Sequence, residues 1–361
     1  MKTLQLVPAM EQGGVERGVV EVNRAIVAEG WENIVVSAGG RLAVQIVADG
    51  GRHVQLDVKS KNPLSFFVRA ARLRRLLKAE RPDVVCAHSR VPAWLFRYAN
   101  RKLGIKWITF AHGANSVSAY SRIMTRGDLI VTPSNYIADY LKENYPVDEK
   151  RIRVIPRAID RSKFDVDSLD RDFIEAKRCE WKIEDRFVVM GLGRITGLKG
   201  YDMLIKAVAS LEPKFKLIIV GEAEALRKDV ERDLHQLVNE LGVGERVVFA
   251  GNQSKVAECL SLADVVVSSN TRKPEAFGRS MAEALAMGRP VVAKAFGGAL
   301  DIVRDGVDGV LVRDGDFAAA IKKVSQMRFG DLRKEALERF SFEKMIERSL
   351  AVYRELAPAA E

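Results

Sequence analysis

Two α/β domains, each a doubly wound parallel sheet, are the architecture this 361-residue sequence predicts. Three observations carry that expectation. Continuous short apolar runs, among them Asp83–Ala87, Leu217–Gly221 and Asp264–Ser269, recur along the chain, and runs without polar alternation are strands buried on both faces. Segments of helical length with one apolar face stand between them, the alternation of a parallel sheet with crossover helices. The length itself is that of two ordinary domains.

Composition narrows the class. Apolar residues make up 47% and charged residues 29% of the chain, the balance of a water-soluble globular protein. No stretch approaches the roughly 20 apolar residues that span a bilayer. Met1–Pro8 leads straight into a strand and lacks the apolar core of a signal peptide. Cys86, Cys179 and Cys259 are odd in number and far apart, so they read as reduced thiols of a cytosolic protein. The net charge of +10 is unevenly placed: Met1–Asp160 holds 25 Lys and Arg against 15 Asp and Glu, and the remainder is neutral. One domain therefore faces an anionic partner and the other does not.

The elements follow in order. Leu4–Val7 is a strand, and Gly13-Gly14 opens a helix to about Glu29, a glycine pair that lets backbone approach a ligand closely. Ile34–Ser37, Ala43–Val47 and Val54–Val58 read as strands. Leu64–Arg81 is an amphipathic helix with Leu64, Phe67, Ala71 and Leu77 toward the core. It carries Arg69, Arg72, Arg74, Arg75, Lys78 and Arg81 against one acid, Glu80. A solvated face and a docking face for anionic lipid headgroups both fit that helix. Asp83–Ala87 ends in His88 and Trp107–Ala111 ends in His112, which puts two imidazoles at one edge of one sheet, the edge where α/β folds bind ligands. Leu129–Ser134 and Arg153–Ile155 complete the first sheet, with a helix Asn135–Asn144 between them.

Residues 166–184 have little regular apolar patterning and read as the linker between a first domain 1–165 and a second domain 185–338. Asp165-Val-Asp167 has the form of a metal-binding Asp-x-Asp, but a position between domains, away from a strand end, argues against it. No metal is expected. Phe187–Leu192 opens the second sheet, and Leu217–Gly221, Val247–Gly251, Asp264–Ser269, Pro290–Ala295 and Gly309–Val312 continue it. After the first of these strands Arg194 and Lys199 lie five residues apart on a glycine-bearing loop, a planar fork and a point charge where two phosphates could sit.

Lys273–Gly298 is the most informative stretch. A loop with Glu275 precedes a helix from about Gly278 to Met287 that carries Glu283. The helix start points free N–H groups at the sheet edge and suits a phosphate. Two carboxylates bracketing that edge would accept hydrogen bonds from sugar or ribose hydroxyls. By spacing alone, two solvated glutamates fit equally well.

Glu275-Ala-Phe-Gly-Arg-Ser-Met-Ala-Glu283, followed by Ala286-Met-Gly-Arg-Pro-Val-Val292 and Gly297-Gly298, resembles the signature of the family 4 retaining glycosyltransferases of GT-B fold. The resemblance extends over nearly the whole chain. It includes the Gly13-Gly14-x-Glu16 turn, the Thr109-x-x-His112-Gly113 segment and Gly193-Arg194 followed by Lys199-Gly200. It implies two facing Rossmann-like domains, with a C-terminal segment, 339–361, crossing back to the first. Two positions depart from the pattern: Ile155-Pro156-Arg157-Ala158 lacks the usual Asn-Gly, and Gly221 is followed by Glu222. Both bear on donor choice.

What the resemblance implies is transfer of a hexose from a UDP- or GDP-sugar, with retention and without a cofactor, to a glycolipid or glycan. Lipopolysaccharide or another envelope glycan is the expected product. Arg194, Lys199 and the backbone near Gly278 would hold the diphosphate, beside Gly13 and Gly14. Glu275, with Ala276 and Phe277, would hold the sugar, Glu283 the ribose, and His112 would sit by the sugar as a catalytic group. The basic half would keep a cytoplasmic enzyme at the inner face of the membrane. A GT-B nucleotide-sugar epimerase shares the architecture but would need carboxylates beside the sugar carbons. Nucleic-acid binding has only the charge in its favour and lacks interleaved aromatics or a module.

Overall fold

The apolar runs form two all-parallel sheets in the computed structural model, which describes residues 1–224, 228–270 and 272–357. The chain divides into two units, one of Met1–Pro156 with the C-terminal segment from Glu343, the other of Arg157–Phe342.

In the first unit β1 (Lys2–Leu6), β2 (Glu32–Ser37), β3 (Arg52–Gln55), β4 (Val84–Ala87), β5 (Lys106–Phe110), β6 (Leu129–Thr132) and β7 (Ile152–Val154) lie in the order β3-β2-β1-β4-β5-β6-β7. Helices cover both faces, which is why β4 and β6 are apolar and buried at every position. Leu4 and Leu6 join one core with Leu73, Val85 and Phe96. Val7, Val19, Val35 and Ile46 form a core of their own. The chain winds outward from β1 to β3, then restarts at β4 on the other side, so the carboxyl ends of β1 and β4 flank the switch point.

The second unit repeats this plan. β8 (Phe187–Leu192), β9 (Phe215–Val220), β10 (Val247–Gly251), β11 (Val265–Ser268), β12 (Val291–Lys294) and β13 (Gly309–Val312) lie in the order β10-β9-β8-β11-β12-β13, with the switch between β8 and β11. Alternate residues feed two cores: Met190, Ile218 and Val266 one, Val189, Leu217 and Val265 the other. Each fully buried side chain of that kind contributes about 1.5–3 kcal/mol.

Several expectations need correction, among them the strand expected at Val54–Val58, which lies earlier, at Arg52–Gln55. Ala43–Val47 is not a strand but the start of a helix, Ala43–Ala48, with Ile46 buried and Val44 and Val47 exposed. Because β2 and β3 pair in parallel, the chain between them must cross over, and this helix does so. The linker 166–184 contains a helix, Arg171–Glu180, whose first turn is capped by Asp170 accepting from Phe173 N at 3.0 Å. Phe173, Ile174, Trp181 and Ile183 pack into the second unit's core of Met190, Ile218 and Val266, as do Ile159 and Phe164, so the first unit ends at Pro156. Asp165 accepts from Asp167 N at 3.3 Å and pairs with Arg333 at 3.5 Å; it is a cap.

The basic helix, Phe66–Glu80, is rotated by about one residue from its expected setting. Ala70, Leu73 and Leu77 are buried; Leu64 and Phe67 are 88% and 61% exposed, and Ala71 is exposed too. Arg69 is buried on the core side, donating to Ser65 Oγ at 3.1 Å and to the carbonyls of Asn62 and Asp57. Arg74 donates to the carbonyls of Ala99 and Arg101 at 2.7 and 2.6 Å. Two of the six cations thus serve the fold, leaving Arg72, Arg75, Lys78 and Arg81 exposed.

The C-terminal segment is a helix, Phe342–Leu356, preceded by a separate helix Leu332–Arg339. The former belongs to the first unit, where Arg153 pairs with Glu355 and Arg354 with Glu29. Residues 358–361 lie outside the described residues. No helix among the described residues is long and apolar enough to cross a membrane.

Candidate active site

The switch point of the second sheet gathers the residues that the sequence singles out there. Lys199, on the loop after β8, forms an ion pair with Glu275, on the loop after β11. Asn270 Nδ2 donates to the same Glu275 oxygen at 2.8 Å, and Ser269 Oγ donates to the Lys199 carbonyl at 2.9 Å. The two loops are therefore tied to each other by side chain and backbone. Gly193 has φ +133°, a backbone conformation that favours glycine, and a Cβ there would press on Lys199 Cε and Nζ at 3.2–3.3 Å. Tyr201 donates to the Gly193 carbonyl at 2.8 Å; burial, helped by the charge of Glu275, pushes its phenol far above its ordinary pKa, so it stays a donor.

Arg194 takes a different partner. It is exposed and pairs with Glu224. The loop after β8 thus carries two cation–carboxylate pairs, one at Arg194 and one at Lys199.

Gly278, with φ +103°, caps the helix Arg279–Ala286. Half-buried Ala276 precedes Phe277, whose ring is buried 5.7 Å from that of Phe340. The Phe277 side chain is thus a core element, and only its backbone can meet a ligand, a correction to its expected role. Glu283 is largely buried on the helix and lies 3.5 Å from Arg279.

The equivalent edge of the first unit brings the two histidines together. β4 and β5 pair with Ala87 opposite Thr109, so His88 and His112 follow neighbouring strand ends. His88 Nδ1 stands 3.2 Å from His112 Nε2, and the rings stack with centroids 5.4 Å apart. Phe110 stacks on His88 at 4.5 Å. A cavity of ≈ 270 Å³ opens here, lined by Glu16, His88, Arg90, His112 and Asn115 among others. Gly13 and Gly14 are exposed at the start of the helix that carries Glu16.

Sequence reasoning missed Glu224, Asn270, Glu16 as a wall of this cavity, and Gln5, whose Oε1 lies 3.0 Å from His88 Nε2. Only Glu16 carried a signal, its place in the Gly-Gly turn. An epimerase would need carboxylates at this edge, but Asp83 and Asp128 bind backbone at the amino ends of strands: Asp83 accepts from Lys2 N at 2.6 Å and Asp128 from Trp107 N at 3.0 Å. Among the described residues no group of three or more His, Cys, Asp or Glu is placed to hold a metal.

Comparison with known proteins gives this geometry its context. The profile of Glycosyltransferase Family 4 matches residues 12–163, and that of Glycosyl transferases group 1 matches residues 173–341. The chain is 30% identical over 333 residues to the lipopolysaccharide core biosynthesis glycosyltransferase LpsE of Rhizobium meliloti, covering 87% of this chain and 86% of that protein. It is 32% identical over 260 residues to the D-inositol 3-phosphate glycosyltransferase of Geodermatophilus obscurus, 66% of this chain and 56% of the relative. The chain spans about half the length of the D-inositol 3-phosphate enzymes it matches first. A glycosyltransferase of Rickettsia africae ESF-5 superposes with a TM-score of 0.88 at 27% identity over 99% of both chains. Anabaena HepE, crystallised with UDP and glucose, has the same fold at 21% identity, TM-score 0.79, over 98% of this chain and 99% of its own. With both units matched and a relative aligned along nearly its full length, the chain belongs to the family 4 glycosyltransferases, and its two parallel-sheet α/β units are those of the GT-B fold.

Proposed function

We propose that this protein transfers a hexose from a UDP- or GDP-sugar to a glycolipid or glycan acceptor in envelope synthesis, with retention and without a metal. The observation that carries the reading is the Lys199–Glu275 pair at the β8–β11 switch point. It sets a cation suited to diphosphate beside a carboxylate suited to sugar hydroxyls, at the edge where doubly wound sheets bind nucleotides. The relatives fit: one is named for lipopolysaccharide core synthesis, and one neighbour was crystallised with UDP and glucose.

In this reading the bond between the anomeric carbon and the diphosphate oxygen breaks, and the electron pair leaves with the diphosphate. Lys199, Arg194 and the N–H groups following Gly278 stabilise the charge that develops, and they are most effective where water is excluded. Arg194 exchanges Glu224 for phosphate, and Lys199 shares itself between phosphate and Glu275. Gly13 and Gly14 let a ligand approach the backbone closely at the first unit's own sheet edge. Glu275 accepts from the sugar hydroxyls and Glu283 from the ribose. The acceptor oxygen attacks on the face the diphosphate leaves, and its proton passes to a departing phosphate oxygen. His112 orients a hydroxyl at the first unit's cavity.

The exposed Arg72, Arg75, Lys78 and Arg81, beside exposed Leu64 and Phe67, suit an anionic membrane surface. In this reading the enzyme works at the inner face of the cell membrane, as a peripheral protein serving a lipid-linked acceptor. Nucleic acid is not the partner in this reading.

The test is hydrolysis of a panel of UDP- and GDP-hexoses by protein stripped with a chelator. Release of the nucleoside diphosphate from one or two donors supports the reading. Activity that appears only on adding manganese or magnesium sinks its metal-free part, and no hydrolysis or transfer from any donor sinks it altogether.

A further inference from the structure

Behind the two histidines runs a chain of buried amides whose direction is fixed at its far end. Asn23 Nδ2 donates to the backbone carbonyl of Ile46 at 3.3 Å, and a carbonyl can only accept. Asn23 Oδ1 therefore faces Asn33, which donates through Nδ2 at 2.7 Å. Asn33 Oδ1 then accepts from Thr3 Oγ1 at 2.8 Å and from Gln5 Nε2 at 3.4 Å. Gln5 has turned its donor to Asn33, so its oxygen faces His88 Nε2 at 3.0 Å. Thr3, Gln5, Asn23, Asn33 and His88 are all buried, so each of these groups depends on its partners in the chain.

An oxygen opposite His88 Nε2 requires the proton on that nitrogen. With one proton on the ring, His88 Nδ1 is an acceptor, and the nitrogen that faces it 3.2 Å away, His112 Nε2, must carry the proton. In turn His112 Nδ1 holds the lone pair. We propose that Gln5 and His88 are positioning residues that hold His112 in the Nε2–H tautomer, so that its Nδ1 accepts a hydrogen bond from a substrate hydroxyl in the first unit's cavity. The ligand class that follows is a hydroxyl donor, a sugar or other polyol. A phosphate or carboxylate, which needs a donor, is disfavoured at this nitrogen. The inference rests on the transferase reading for the identity of the hydroxyl but not for the tautomer.

The experiment reads the tautomer directly. The protein has four histidines, so long-range proton–nitrogen correlation spectra of ¹⁵N-histidine-labelled protein can be assigned with His88→Asn and His112→Gln. At neutral pH, without substrate, His112 is expected to show a protonated Nε2 and an unprotonated Nδ1. A proton on Nδ1, or on both nitrogens, overturns the proposal. Gln5→Leu removes the oxygen that fixes His88 and is expected to populate the other His112 tautomer. Its kcat should fall about tenfold, the loss of one hydrogen bond in the transition state, with KM for the donor little changed. Thr3→Val removes the other donor to Asn33 Oδ1 and serves as the structural control: it should lower the unfolding temperature and leave the tautomer alone. An unchanged His112 spectrum in Gln5→Leu, or an equal shift in Thr3→Val, removes Gln5 from the role. Because the spectra need no donor sugar, their outcome is independent of the hydrolysis panel that tests the transferase reading.

Discussion

At the edge formed by the carboxyl ends of β1, β4 and β5 the first unit gathers two imidazoles, which follow β4 and β5, with a line of buried amides behind them. At the corresponding edge between β8 and β11 the second unit gathers a lysine, a glutamate and a carboxamide, with an arginine–glutamate pair nearby. The topology is the same, and the charge is arranged in opposite ways. The first half of the chain has all the excess positive charge, yet the amides behind its site are neutral, and a cluster of four exposed cations lies on or at the end of an outer helix. The second half has no net charge, yet its site is built from ion pairs. The difference teaches that net charge reports what a domain's surface meets, whereas the site's chemistry is set by which few side chains the switch point brings together.

That contrast can be broken. If the charge of the first unit is for a surface, changing Arg72, Arg75 and Lys78 together to Glu should weaken binding to anionic vesicles by on the order of 100-fold or more, at about 1 kcal/mol per cation removed. Co-sedimentation at low salt measures it, and wild-type binding should fade as salt screens the charges. Equal binding by both proteins would reduce the helix to a solvated face. If the charge of the second unit is for the site, Lys199→Ala should lower kcat roughly 10- to 150-fold, from a charge-assisted hydrogen bond worth about 1.5–3 kcal/mol. The unfolding temperature should move little, since the loop leaves no core cavity; full activity in a folded Lys199→Ala protein would remove the phosphate role.

Smaller effects sharpen the picture. Glu224→Ala frees Arg194 from an exposed pair of the kind worth about 0.2–1 kcal/mol, so KM for the donor should fall by no more than about fivefold. A rise in KM would show that Glu224 itself holds the donor. The smallest effect is expected from alkylation. Burial pushes the Cys86 and Cys259 thiols up to about 12, whereas Cys179 is exposed. Iodoacetamide at neutral pH should modify one thiol in the native protein, count three after denaturation, and leave activity unchanged.

Much of this was legible from the chain. Except for Ala43–Val47 and the outer part of Val54–Val58, where only Val54 and Gln55 lie in β3, the strand runs became strands, because uniformly apolar stretches have no other stable place than a sheet covered on both faces. The helix Ala43–Ala48 escaped because Ala-Val-Gln-Ile-Val fits a strand by composition, and only the parallel pairing of its neighbours forbids it. Basic residues obscured the setting of Phe66–Glu80: Arg69 is buried by carbonyls and a hydroxyl that periodicity does not reveal. Asp170 and the apolar pair Phe173-Ile174 did signal a helix in residues 166–184, but charge density masked it. At the sites, Lys199, Glu275 and the two histidines could be placed because each follows a strand directly. Glu224, Asn270 and Gln5 could not, since their roles come from contacts with residues 30, 5 and 83 positions away that no local pattern encodes.

The ownership of the last helix bears on how the protein is made. The first unit includes the segment from Glu343, and Tyr353, fully buried, lies beside Cys86 of β4. During synthesis β1 to β7 leave the ribosome before any residue of that helix exists. At ordinary elongation rates the wait is roughly 10–40 s, while the whole of Arg157–Phe342 is translated. For that interval the surface later covered by Tyr353 stays open to water and to other nascent chains. The second unit, continuous in sequence, carries no such delay, so the segment translated later is the one able to finish folding first.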